Sequence, residues 1–250
     1  MSSLVPISLI ALTFLVALVY SSVGHGGASG YLALLAFFTL SQRQMAASAL
    51  CLNLLVSGVA SWAFWKGGHF SWRMSRPFMM TSIPMAFVGG MMKVPASAYS
   101  LLLIVALLFA TFRLISDIKV SSEFRPDHFS LIAAATIGAG IGILSGIVGI
   151  GGGIFLSPLL LLLRWAGPKQ TAATSAVFIF VNSLAGLAGR LARNNFEIAI
   201  TPMYFWMVLT AFLGGILGSR LGANHLPPVW LRRILAGVLL LATVKLFHSL

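Results

Sequence analysis

Hydrophobic positions fall in long runs that recur along the whole chain, separated by short polar stretches. They predict spans at about 4–22, 28–40, 45–65, 77–92 and 97–115, and again at 130–148, 154–165, 171–191, 201–220 and 229–247. Runs of this kind read as membrane helices. Two of them, 28–40 and 154–165, reach only about 20 Å at 1.5 Å per residue, short of a hydrocarbon core of about 30 Å. Each short run follows a glycine-rich interruption, "SSVGHGGASG" at 21–30 and "GIVGIGGGIF" at 146–155.

The pattern is written twice. A shift of 125 positions lays "VGHGGASGYLALL" from Val23 on "VGIGGGIFLSPLL" from Val148, and Gly89-Gly90 on Gly214-Gly215. With small gaps "QMAAS" from Gln44 meets "QTAAT" from Gln170, and "ATFRLI" from Ala110 meets "ATVKLF" from Ala242. Two homologous transmembrane repeats are expected, 1–116 and 130–250, joined by a linker loop at 117–129. Basic residues decide the relative orientation, because cytoplasmic loops collect the excess. If the short runs cross, Lys66, Arg73, Arg76, Arg113, Lys119, Arg125, Arg164, Lys169, Arg220, Arg232 and Arg233 share one face, against Arg43, Lys93, Arg190, Arg193 and Lys245 on the other. If they do not cross, the division is nearly even. The expected fold is therefore an all-α polytopic membrane protein of two inverted repeats. Each repeat has a glycine-broken first helix, giving about eight full spans and two short half-helices.

Composition sharpens this picture. Of 250 residues 59% are hydrophobic and 8% charged, with a mean hydropathy of +1.00. No polar stretch is long enough for a soluble domain. The net charge of +12 sits singly at span ends, where it meets lipid headgroups and sets orientation, so no nucleic-acid partner is expected. The first 22 residues carry no basic start and have a mid-chain counterpart, and are read as a retained span. Arg190 and Arg193 either guide an anion to the mouth or anchor a helix end. Cys51 is expected to pack, and neither cofactor nor metal is anticipated.

The glycine breaks carry the candidate chemistry. A helix that restarts inside a membrane presents unpaired amides and a partial positive charge, and glycines before it clear side chains from the backbone. That combination binds anions. Gly24, Gly26 and Gly27 recur as Gly149, Gly151 and Gly152, with Gly153 added, whereas "GGILG" at 214–218 and the stretch near Gly58 suit helix packing. His25 is placed to donate to an anion, to take up a proton, or to cap loop backbone. Ser29, Ser48, Thr174, Ser175, Asn53 and Asn182 are further polar candidates, each of which could instead bond between helices. The four acids, Asp117, Glu123, Asp127 and Glu197, fall outside the spans, as an anion pathway would require.

"GIVGIGGGIFLSPLLLL" and "GPKQTAATSAVFIFVNSLAGLAG" resemble the TauE/SafE family, also called the sulfite exporter or TSUP family of permeases. The resemblance covers essentially the whole chain. It implies transport of small sulfur-containing anions, of the sulfite, sulfoacetate, organosulfonate or thiosulfate type, across a bacterial inner membrane. Coupling to protons is expected separately, from the electrical cost of moving an anion and from His25 as a titrating group. The first copy departs from the pattern at His25, Ser29 and Ser48-Ala49, which bears on substrate identity. Two alternatives stand beside it. One is a permease or channel for another anion or a neutral solute. The other is an intramembrane serine protease, suggested by "GASG" at 27–30, which needs a histidine on a later helix.

Overall fold

The computed structural model describes residues 4–37, 40–115, 129–194, 196–198, 202–224, 240, 243–244 and 247. Among these it is all helical, with α1 Leu4–Ser22, α2 Ala28–Leu35, α3 Gln42–Lys66, α4 Trp72–Met91, α5 Ala96–Ile115, α6 Leu131–Val148, α7 Gly153–Leu162, α8 Pro168–Ala192 and α9 Pro202–Asn224. The expected linker at 117–129 lies outside the described residues except Phe129. So does the last expected span, 229–247, apart from Leu240, Thr243, Val244 and Phe247.

Among the described residues, four helices are long and apolar enough to cross a membrane, over 43–66, 131–148, 168–192 and 202–223; apolar stretches at 8–22, 96–112 and 153–162 are shorter. α2 and α7, at 8 and 10 residues, rise only about 12–15 Å. Start signals set several boundaries. Ser41 accepts from the Gln44 amide while Gln44 returns a bond to the Ser41 amide, a reciprocal cap that begins α3 three residues before its hydropathy does. α4 opens at Trp72 instead of Pro77 and keeps Pro77 and Pro84 in its interior, as membrane helices tolerate.

Glycine seams hold the outer helices to the centre. On α6, Gly138, Gly142 and Gly146 stand so close to the carbonyls of Phe78, Ser82 and Ala86 on α4 that no β-carbon would fit. On α9, Gly214, Gly218 and Gly222 approach the carbonyls of Phe14, Leu18 and Ser22 on α1 in the same way. The four-residue step on both sides of each seam is the small-xxx-small geometry of close membrane helices. Thr81 Oγ1 adds a 2.7 Å bond to the Ala135 carbonyl across the first seam. α3 and α8 pack on each other, and each also contacts the fourth helix of the opposite half of the chain, α9 and α4 respectively.

The core divides accordingly. One cluster joins Tyr31, Leu32 and Leu52 to Met207 and Ala211 of α9; the other joins Phe78 and Met79 of α4 to Leu156, Leu160 and Phe178. The outward faces are apolar, with Leu101, Val105, Leu108 and Phe112 forming one exposed ridge along α5. That is the surface lipid requires.

Candidate functional site

Both predicted breaks are real interruptions. α1 ends at Ser22, and its last carbonyls are closed locally: the Gly24 amide donates to Ser21 at 3.0 Å and the His25 amide to Tyr20 at 2.8 Å. Gly24 (φ 75°) and Gly27 (φ 94°) turn the chain into α2 through the left-handed region, which side chains resist. α6 ends at Val148, and Gly149, Gly151 and Gly152, at φ 88°, 77° and 82°, carry the chain into α7. Among the described residues, the first amides of each short helix, Ser29 and Gly30 in α2 and Gly153 and Ile154 in α7, have no acceptor in the turn before them, whereas the Phe155 amide donates to the Gly152 carbonyl at 3.1 Å.

Asn53, buried on α3, joins the two breaks. Its Oδ1 accepts from the Ala28 amide at the start of α2 at 3.2 Å. Its Nδ2 donates to the Ile150 carbonyl in the second break at 3.3 Å and to Ser183 Oγ on α8 at 2.9 Å. Gly26 and Gly151 lie against this amide with no room for a β-carbon. Each break also leans on the opposite half of the chain. Gly24 packs on the backbone of Ala172 in α8, and a β-carbon at Gly149 would stand 2.9 Å from the Ala46 carbonyl in α3. Gly153 meets Ile179, and Gly152 meets Ile141 and Phe178. Close packing and left-handed backbone thus both demand glycine here.

The other predicted residues divide. Ser29 donates to Tyr20 Oη at 2.9 Å, a tyrosine partner where a protease would need histidine. His25 donates from Nδ1 to the Val23 carbonyl at 3.0 Å and lies edge-on to Tyr20, so it caps its own loop. Ser175 shares a 2.7 Å bond with Ser157 of α7, and Thr174 accepts from Ser75 of α4 at 3.3 Å. These two join helices. Ser48 is buried, and its carbonyl accepts from Tyr204 Oη at 2.9 Å. Asn182 is different: it is fully buried, and neither amide atom has a partner among the described residues. An amide left so costs about 1–3 kcal/mol and marks a place where something polar belongs.

Sequence reasoning missed how the second break closes. Arg190, 4% exposed on α8, donates from Nη2 to the Gly146 carbonyl at 2.9 Å and the Ile147 carbonyl at 2.7 Å. Tyr99 Oη donates to the Val148 carbonyl at 3.3 Å. The orphan carbonyls at the end of α6 are thereby satisfied from outside, where α1 uses its own turn. Arg190 is thus a helix cap rather than an interfacial anchor. The signal was available: an arginine inside a span is expensive without acceptors, and a broken helix supplies them. Arg190, Tyr99, Ile147, Arg43, Lys93, Met92 and Val94 line a cavity of about 120 Å³ beside this end of α6.

The family model described as sulfite exporter TauE/SafE matches residues 9–246. The "probable membrane transporter protein y4hK" of Sinorhizobium fredii is 36% identical over 236 residues, covering 93% of this chain and 94% of that protein. Shorter likenesses reach the "probable membrane transporter protein MamO" of Magnetospirillum gryphiswaldense, 31% identical over 46% of this chain and 19% of that protein. The "probable membrane transporter protein YunE" of Bacillus subtilis is 32% identical over 32% of this chain and 29% of that protein. No solved structure matches.

Proposed function

The chain belongs to the sulfite exporter TauE/SafE family, a multi-pass membrane transporter and not an enzyme, and from that premise we propose that it moves small sulfur-containing anions across a bacterial inner membrane. The anion is held where the glycine breaks meet, by the amides of Ser29 and Gly30 in α2, by those of Gly153 and Ile154 in α7, and by Asn182. The observation that carries this reading is the Asn53 side chain, which bonds to the start of α2 and to the turn before α7 and so gathers both breaks at one point. Among the described residues the one acid, Glu197, is exposed and bonds to Gln44 at 3.3 Å, far from cation-carrier chemistry.

The two halves are inverted repeats in this reading. The exchanged pairs support it: α1 with α9 and α4 with α6 through matching glycine seams, α3 with α8 at the centre, and α2 on α3 as α7 is on α8. Protons accompany the anion through His25, since one negative charge moved against 100 mV costs about 2.3 kcal/mol.

Sulfite, sulfoacetate, thiosulfate, acetate and an uncharged sulfone are to be compared in proteoliposomes. Sulfur oxyanions are expected to move at least tenfold faster than the neutral compound. Asn182→Leu should lower sulfite flux at least tenfold while the thermal midpoint holds or rises, because an unpartnered amide leaves the interior. His25→Ala should remove the dependence of flux on a pH gradient. Equal flux of the neutral compound, or full flux in Asn182→Leu, would sink the reading.

A further inference from the structure

Among the described residues, the cavity beside the end of α6 is lined by three cations and by no carboxylate. Arg43 and Lys93 are exposed at its rim, while Arg190 and Tyr99 are buried at its floor. Glu197 bonds to Gln44, the neighbour of Arg43, but is not among the lining groups. Three like charges converging on one hollow raise its potential and hold a counter-anion there. Arg190 spends Nη2 on the two α6 carbonyls, and its Nε stays buried with no partner among the described residues. A guanidinium has five N–H donors in a planar fork suited to oxyanions, so donors remain after the capping bonds.

We propose that Arg43, Lys93, Arg190 and Tyr99 form a binding site for a small oxyanion, separate from the meeting point of the glycine breaks. At about 120 Å³ the hollow takes a sulfite- or phosphate-sized group, given that a water occupies about 30 Å³ in the liquid. The exposed rim collects the anion and the buried floor orients it. Because the floor arginine also caps Gly146 and Ile147, an anion here bears on the end of α6, immediately before the second break. The site rests on its own charge and geometry, and extends the transport reading by giving the cargo a first station.

The test is binding, measured by titration calorimetry on the full-length protein in nanodiscs of zwitterionic lipid, with sulfite and with inorganic phosphate at matched ionic strength. Saturable binding is expected. The double variant Arg43→Gln, Lys93→Gln, whose exposed positions leave the fold intact, should weaken it at least tenfold, and Lys93→Glu should weaken it further. Arg190→Met should abolish binding; its thermal midpoint is recorded alongside, because it also uncaps α6. Adding phosphatidylglycerol distinguishes the sources of the same chemistry. Competition that disappears in the double variant supports the site with a headgroup phosphate as an occupant, and absence of competition supports a free oxyanion. Wild-type affinity in the double variant, or no binding without anionic lipid in any form, overturns the proposal. Binding retained while sulfite flux is absent would overturn the transport reading alone, and flux retained without this binding would overturn the site alone.

Discussion

Replacing Asn53 with leucine is expected to abolish sulfite flux and to lower the thermal midpoint of the detergent-solubilised protein by about 6–12 °C. The size follows from what the amide holds. The Ala28 amide, the Ile150 carbonyl and the Ser183 hydroxyl all lose their partner together, and leucine offers none. Buried orphan groups cost about 1–3 kcal/mol each, although hydrogen bonds inside membranes average only about 0.6 kcal/mol. A total near 3 kcal/mol, at about 2–4 °C per kcal/mol for a chain of this size, gives the range. Asn53→Asp separates the two consequences. It keeps an acceptor for Ala28 and so loses less stability, yet it puts a carboxylate beside amides that are to receive an anion. Flux should fall as far as in the leucine variant. Wild-type flux in either variant, measured in proteoliposomes, would mean that the meeting of the breaks has no part in transport.

The second large effect is expected at Gly146. A β-carbon there would overlap the Ala86 carbonyl and stand 2.7 Å from the Gly90 amide, so Gly146→Val must push α6 off α4. Its own carbonyl also accepts from Arg190, and that bond moves with it. Overpacking costs about 1–3 kcal/mol, to which the disturbed cap adds. Loss of monodisperse protein on size exclusion, or a midpoint lowered by at least 8 °C, is the expected result. Gly140 lies on the same helix with nothing within 4 Å of a β-carbon. Gly140→Val should therefore stay within about 0.5 kcal/mol of the parent, as surface changes do. Similar behaviour of the two variants would refute the seam.

Much of this architecture was legible because glycine and hydropathy speak to backbone directly. Five left-handed glycines, Gly24, Gly27, Gly149, Gly151 and Gly152, fall where the repeated motif had marked the interruptions, and α2 begins at the predicted Ala28. Hydropathy starts α4 five residues late because Arg73 and Arg76 lower it locally and Pro77 imitates a first helical turn. Hydropathy also starts α3 late because the Ser41–Gln44 cap is a polar signal that it ignores. Of the candidate side chains, Asn53 bonds to both breaks, whereas Ser175, Thr174 and Ser29 bond to neighbouring hydroxyls and His25 to its own loop. Which of them would find protein partners depends on helices distant in sequence. Ser157 lies 18 residues from Ser175, Ser75 lies 99 from Thr174, and no local pattern encodes such pairs. Arg190 was visible as a charge but not as a cap, since its acceptors exist only once α6 stops at Val148.

The backbone contacts along α1 with α9, and along α4 with α6, carry a mechanical consequence. Two rods whose main chains touch at three successive turns cannot slide or part without first losing that fit, so each duo is held as a single beam. Each beam takes one rod from either half of the polypeptide. A rigid-body displacement of one sequence half against the other would break both fits at once, so the two halves of the polypeptide are interlocked.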